Sequence, residues 1–234
     1  LIDLKDTGKN KKRLIFHAPT RGLMGYTSRF LTLTKGTGVI NRIFHTYGEY
    51  TGDMEGRRNG ALISMENGKA VALSDGPSPD IREDPARPGY AATRIWVTEE
   101  TPAKVRGIKE TLHLPHTIEP PKNGSVCRVV EFPPDRVWEN SVNASDVSNF
   151  FNLMGSPGAS TISSNSTHPY MEKSESLDFC YIQEGKITLV LDKEEVELSE
   201  GDTVVLLGAN HSWSNRSEKP CIIFFSKHDA SSDT

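Results

Sequence analysis

No stretch of this sequence approaches the roughly 20 uninterrupted apolar residues that a membrane-spanning helix needs, so no membrane partner is expected. Cysteine is scarce: Cys127, Cys180 and Cys221 are the three in a chain of 234 residues. That odd, scattered set is too small for a disulfide scaffold and suits a reducing cytoplasm. The opening LIDLKDTGKNKKR has no apolar core, so no secretory signal is expected, and the lack of an initiator Met points to a fragment. The Asn-x-Ser/Thr triplets at Asn123, Asn143, Asn165 and Asn215 are accordingly read as chance occurrences. There is no GxxxxGKS/T loop to cradle phosphate and no GxGxxG dinucleotide fingerprint. There is no GxSxG elbow for Ser/His/Asp catalysis and no CxxC for zinc. Apolar residues make up 35% and charged residues 25%. That balance excludes collagen, a coiled-coil rod and a fully disordered chain.

What is present falls into two parts of opposite charge. Residues 1–69 hold 12 Lys+Arg against 6 Asp+Glu, a net of +6. Residues 70–234 hold 15 against 25, a net of −10, and the two sum to the chain's −4. Such asymmetry suits two pieces with different partners, and a basic piece suits RNA or another acidic surface. A solvated basic face is the plainer reading of the charge alone. Locally, Leu14-Ile15-Phe16 reads as a short strand and Thr20 as the cap of a helix over Arg21–Leu33. Leu23, Tyr26, Phe30 and Leu33 recur along it at helical spacing, and Gly36 and Gly38 end it. Val39–Phe44 reads as a second strand.

Within RLIFHAPTRGLMGYTSRFLTLTKGTGVINRIFHTYGEYTGDMEGRRNGALISMENGKAVA, three motifs fall in order: Thr20–Tyr26, Thr34–Gly38 and Gly56–Ser64. On these, residues 1–72 resemble the C-terminal region of the TypA/BipA translational GTPases. The resemblance implies part of an elongation-factor-G-like domain V, a small α+β appendage that touches the ribosome, here through residues 1–69. It does not imply GTP hydrolysis, because no phosphate loop is present. One strand–helix–strand unit cannot bury its own sheet face. This piece must pack on the second module, dimerise or stay loosely folded.

After Asn67 the sequence changes character. Residues 73–90, LSDGPSPDIREDPARPGY, read as a loop or linker. A splice point near residues 66–72 fits a natural fusion, a mispredicted gene or a chimera. Strands are expected at Arg94–Thr98, Val126–Phe132, Phe179–Gln183, Ile187–Leu191, Glu195–Leu198, Thr203–Leu207 and Cys221–Ser226. A helix is expected at Asp146–Leu153, capped by Ser145 and stopped by Gly155. Many short strands with regular turns predict a mainly β sandwich or barrel. The expected organisation is a fragment at 1–72, linker and lead-in strands at 73–125, and a barrel at 126–230.

The stretch GDTVVLLGANHSWSN places Gly201, Gly208, His211 and Asn215 in order, and Asp178 and Gly185 flank the hairpin before it. This region resembles the cupin superfamily of RmlC-like proteins. The resemblance implies a double-stranded β-helix, or jelly-roll, barrel with a small-molecule site in its lumen. A metal-binding cupin uses His-x-His and Glu from its first motif and His from its second. Those positions hold Glu172, Ser174, Asp178 and His211 here, so one imidazole of three is kept.

Two readings of the site stay open. In one, Glu172, Asp178 and His211, with His168 as a possible substitute, hold a divalent metal such as Mn, Fe or Zn. The protein is then a metal-dependent oxygenase, isomerase or lyase. In the other, the metal is lost and His211 and Asp178 act as polar anchors or as an acid–base pair in an organic pocket. Trp213 lies two residues from His211 and is the expected stacking residue, with Tyr181 as a lumen residue and Asn215 as a ligand contact. Cys180 and Cys221 read as buried small apolar residues. Trp96 and Trp138 read as core or lumen, and His17, His45, His113 and His116 as surface or packing residues. Because cupin barrels expose strand edges, a homodimer is expected. Binding to DNA is not.

Overall fold

The structure is a computed structural model that describes residues 2–6, 8, 12–18, 30, 34–35, 37–46, 60–66, 69–105 and 110–231. The chain divides into two compact units, Leu1–Arg57 and Arg58–Thr234.

In the first unit, β1 (Asp3–Asp6) and β2 (Lys12–Ile15) form an antiparallel hairpin with Asp3 opposite Ile15. The expected strand at Leu14–Phe16 is therefore present, shifted toward the N-terminus. The helix expected over Arg21–Leu33 lies outside the described residues except at Phe30, which is helical. Thr34 donates from its backbone N–H and its hydroxyl to the Phe30 carbonyl, at 2.9 and 2.8 Å. Val39–Phe44 does not form the expected strand but runs as irregular backbone. Apolar sequence alone does not make a strand, because a strand exists only through the ladder it joins. His17 and His45 are exposed and stack edge to face, with ring centroids 4.6 Å apart.

The second unit is mainly β. β3 (Gly60–Glu66) pairs with β4 (Lys69–Gly76), and β5 (Ile81–Glu83) pairs with β6 (Ala91–Thr98), so residues 73–90, expected to be loop or linker, carry the end of β4 and all of β5, while the strand expected at Arg94–Thr98 is present in β6. There follow β7 (Ser125–Phe132), α1 (Ala144–Leu153), β8 (Ser176–Glu184), β9 (Lys186–Leu191) and β10 (Glu195–Ser199). The chain ends with β11 (Thr203–Leu207), β12 (His211–Ser214) and β13 (Cys221–Asp229). Six strands form one antiparallel sheet in the order β11-β8-β13-β7-β6-β5, and three form a second in the order β10-β9-β12. One core joins the two: Ile182, Ile223, Phe225 and Phe132 from the large sheet meet Ile187, Leu189, Leu198 and Trp213 from the small one. Two antiparallel sheets facing across a common core are the arrangement of a jelly roll.

Alternation builds this core. Along β7 every second residue is buried, Val126, Arg128, Val130 and Phe132, while the residues between are half-exposed. The helix α1 buries Val147, Phe150 and Phe151 against the same core. Its cap is not Ser145 but Asn143, two residues earlier. The Asn143 side chain accepts from the N–H groups of Ser145 and Asp146, and Asp146 accepts in return from the Asn143 N–H at 3.0 Å. That reciprocal pair is a capping box, which places the cap three residues before its acid. Gly185 sits at φ +86° between β8 and β9, where a Cβ would lie 2.7 Å from the Pro220 carbonyl oxygen. Only glycine meets both demands.

Candidate functional site

The register of the large sheet brings charged side chains into the core. Arg128 on β7 lies opposite Arg94 on β6 and opposite Phe225 on β13, and Phe225 lies opposite Cys180 on β8. One row along, Val126, Lys227 and Asp178 stand opposite one another across β7, β13 and β8. The residues of both rows point to the inner face, and Arg128, Lys227 and Asp178 are each buried. Lys227 Nζ lies 3.1 Å from Asp178 Oδ2. Asp178 Oδ1 accepts no hydrogen bond.

A cavity of about 50 Å³ opens on this face. Arg87, Arg128, Lys227 and Glu172 supply its charged wall, and Tyr90, Phe132, Trp213 and Phe225 are among its aromatic residues. Trp213 packs edge to face on Phe225 with centroids 5.5 Å apart, so its ring is held rather than free to turn. The Arg87 guanidinium lies 3.6 Å from the centroid of the Tyr170 ring, 4.1 Å from that of Tyr90 and 4.3 Å from that of Phe150. Its Nε donates to Asp84 Oδ2 at 2.7 Å. This aromatic cage and the one carboxylate hold the cation where water is scarce. Burial pushes the Tyr90 phenol up to about 12, against the pull of the neighbouring Arg87. Burial also lowers the pKa of Arg128, opposed by Tyr90 and Glu172.

His211 and Glu172 meet on the other side. Their backbones exchange two hydrogen bonds, Glu172 N to His211 O at 2.8 Å and the reverse at 2.9 Å. The His211 Nδ1 donates to the Ala209 carbonyl at 2.8 Å, which turns Nε2 toward Glu172 Oε1 at 3.7 Å. The expected site residues are thus partly gathered and partly dispersed. Glu172, His211 and Trp213 come together, and Asp178 joins the same inner face but is tied to Lys227. His168 is buried elsewhere. Its Nδ1 accepts from the Ser212 hydroxyl at 2.6 Å and from the Tyr170 N–H at 3.2 Å. Burial, then the nearby Arg87 and Arg216, lower its pKa to about 4, so it is neutral at pH 7.

Two residues stand apart from the expected roles. Tyr181 is 43% exposed and Phe179 is 45% exposed. On β8 the inward residues are Asp178, Cys180 and Ile182, so Tyr181 stands on the outer face and does not line the cavity. Asn215 is fully buried but locks a turn. Its Nδ2 donates to the Phe132 and Lys219 carbonyls, both at 2.9 Å, and its Oδ1 accepts from the N–H and hydroxyl of Ser217. No group of three or more His, Cys, Asp or Glu side chains that could hold a metal ion occurs among the described residues.

The cavity's cations were missed in the sequence. Arg128 shares strand parity with Val126 and Val130, and Lys227 with Ile223 and Phe225, so alternation alone placed both inside. Arg87 gives no such signal, since it lies in a loop.

Comparison with known proteins divides the chain in the same sense as its charge. Residues 156–226 match the family model of the cupin domain, and residues 1–58 match that of the elongation factor G C-terminus. The large ribosomal subunit assembly factor BipA of Bacillus subtilis is 47% identical over 73 residues, which are 31% of this chain and 12% of that protein. Its Escherichia coli K12 counterpart is 41% identical over 75 residues, 32% of this chain and 12% of that protein. The chain thus spans about an eighth of the length of the curated relatives it matches. Among solved structures, the cupin domain of Schizosaccharomyces pombe Cnp3 is similar at TM-score 0.38 and 10% identity, covering 73% of this chain and 87% of that one. A putative ethanolamine utilization protein EutQ from Salmonella typhimurium is similar at TM-score 0.37 and 10% identity, covering 77% and 100%. No helix among the described residues is long and apolar enough to cross a membrane.

Proposed function

We propose that the cupin domain of this chain binds a small organic molecule between its two sheets and does so without a metal. The observation that carries this reading is the charge of the cavity wall: three cations, Arg87, Arg128 and Lys227, against the single carboxylate of Glu172. A divalent cation entering that space meets like charge in a medium that screens poorly. Of the three expected ligands, Asp178 already neutralises Lys227, and Glu172 with His211 leaves two donors. The residues present do not fit a cupin metal.

The space suits a ligand of modest size. A water needs about 10–15 Å³ of such volume, so the cavity of about 50 Å³ takes the equivalent of about four waters. Trp213 and Phe225 supply the apolar surface that gives most of the binding energy, and the polar groups fix orientation. Glu172 lines the cavity and is the group positioned to exchange a proton with a bound molecule, with His211 Nε2 behind it at 3.7 Å. The test is a thermal-shift screen of small metabolites on the full chain, with and without chelator. Stabilisation that survives chelator and is lost in Trp213→Ala supports the reading, while stabilisation abolished by chelator contradicts it.

For the N-terminal part we propose contact with the ribosome through residues 1–69, supported by the 47% identity to BipA of Bacillus subtilis and the net charge of +6 over those residues. Co-sedimentation of the full chain with large ribosomal subunits tests it. Binding that weakens steeply with salt is expected, and no binding at low salt contradicts it.

A further inference from the structure

Arg128 is the one cation of the cavity wall without a carboxylate beside it. Arg87 has Asp84, and Lys227 has Asp178. Arg128 makes no ion pair within 4.0 Å among the described residues. Its Nη2 donates to the Thr117 and Ile118 carbonyls at 2.6 and 3.2 Å. Its Nε is buried with no partner, and no hydrogen bond involves Nη1.

The register makes this costlier. Arg128 stands directly across the ladder from Arg94, and both are nearly fully buried. Like charges opposite one another in a sheet repel. Asp80 answers only the Arg94 side, where it also meets Arg82 and His116. A buried, half-bonded guanidinium facing a second one persists against its desolvation cost only if the cation has a use.

The neighbouring positions show what use. Lys227 is two residues along β13 from Phe225, the cross-strand partner of Arg128, so the two cations are diagonal neighbours on the inner face. Lys227 has three donors, of which Asp178 takes one. The wall therefore has spare donors on Arg128 Nη1 and Lys227 Nζ, and among the described residues no carboxylate lies within 4.0 Å of Arg128, Glu172 acting on it only from farther off. Beside it lie the apolar faces of Trp213 and Phe225.

We infer that the molecule held here is a small monocarboxylate, its carboxylate on Arg128 and Lys227 and its apolar body against Trp213 and Phe225. The inference rests on the small-molecule reading of the cavity and names its ligand class. Arg128 Nη1 and Lys227 Nζ can each donate one charge-assisted hydrogen bond to the same carboxylate. One cation outside ion-pair distance of any carboxylate matches a monoanion better than a dianionic phosphate, because Glu172 in the same wall opposes a second negative charge. A cavity holding the equivalent of about four waters admits a ligand of about four to six heavy atoms.

The test uses propanoate and butanoate, with propanamide and butanamide as neutral isosteres and inorganic phosphate as the competing anion. Each is titrated into the full chain by calorimetry and by thermal shift. The carboxylates are expected to bind at least about tenfold tighter than their amides and tighter than phosphate. Arg128→Met is expected to lose that preference; it also strands the Thr117 and Ile118 carbonyls, so its ligand-free form is expected to melt lower than the parent, and the acid-to-amide ratio rather than the melting point is the readout. Amides binding as well as acids overturn the inference but leave a small-molecule cavity. Tighter binding of phosphate overturns the carboxylate. Binding of none of the probes overturns the inference and the reading beneath it together. Should Arg128→Met fail to fold, the acid-against-amide comparison on the parent chain still decides.

Discussion

The pair Lys227–Asp178 is where the fold and the site depend on one another most directly. Its atoms lie 3.1 Å apart with side chains 5% and 3% exposed, and Asp178 Oδ1 accepts nothing further. Substituting Lys227→Met keeps the volume and removes the charge. Asp178 then has neither oxygen compensated in a buried position. Breaking one partner of a buried ion pair costs about 3–5 kcal/mol. For a domain of this size each kcal/mol moves the melting midpoint by about 2–4 °C, so a fall of roughly 6–20 °C is expected. Removing both charges, as Lys227→Met with Asp178→Leu, restores most of that loss, since well-packed apolar pairs replace buried ion pairs at little cost. The coupling between the two substitutions is then several kcal/mol and comes from a double-mutant cycle in urea. Tryptophan fluorescence is the probe, because Trp96, Trp138 and Trp213 all belong to the second unit. A loss below about 1 kcal/mol for Lys227→Met, or a double variant no more stable than the single one, refutes the reasoning.

Further outcomes follow from the same geometry. His116 and His168 are both lowered to about 4 by burial, so folding holds them neutral while the unfolded chain takes up protons near pH 6.5. Stability is therefore complete above about pH 6.5 and declines as pH falls toward 4, which urea midpoints at pH 7.5 and 5 will show; equal midpoints contradict it. Asn215→Ala strands the Phe132 and Lys219 carbonyls and is expected to cost about 2–4 kcal/mol of stability, measured in urea. Loss of ligand affinity in Asn215→Ala at unchanged stability would return that residue to the binding role. Burial pushes the thiols of Cys180 and Cys221 up to about 12, so under native conditions Cys127 reacts with a thiol reagent and the other two wait for denaturant.

Most of the strands were legible because their signals are local. Thr203–Leu207 and Cys221–Ser226 are short β-branched or aromatic runs between turn residues, and the structure confirms both, the second extended to Asp229. The hairpin β3–β4 was missed because its residues were absorbed into a family boundary and a supposed linker, although their alternation is visible in GALISME. Val39–Phe44 shows the reverse error, an apolar run with strand composition and no strand. The site was half legible. His211, Glu172 and Trp213 followed from motif spacing and do come together. Asn215 kept its place in the motif, but burial gave it to the turn. Tyr181 failed because its parity follows Phe179 to the outside, while Asp178 and Cys180 point inward. Arg128 and Lys227 were overlooked because a charged residue in a strand is read as solvent-facing by default, whereas period-two alternation puts both inside.

The measurement that bears most directly on a metal-free cavity is elemental analysis of the full chain after equilibration with Mn, Fe and Zn salts and removal of free ions. It is made beside His211→Ala and beside a thermal-shift titration with the carboxylate probes. The account predicts no tightly held transition metal in either protein and ligand stabilisation that chelator leaves unchanged. Near-stoichiometric metal in the parent, lost in His211→Ala, would contradict it and return Glu172, Asp178 and His211 to the role of ligands.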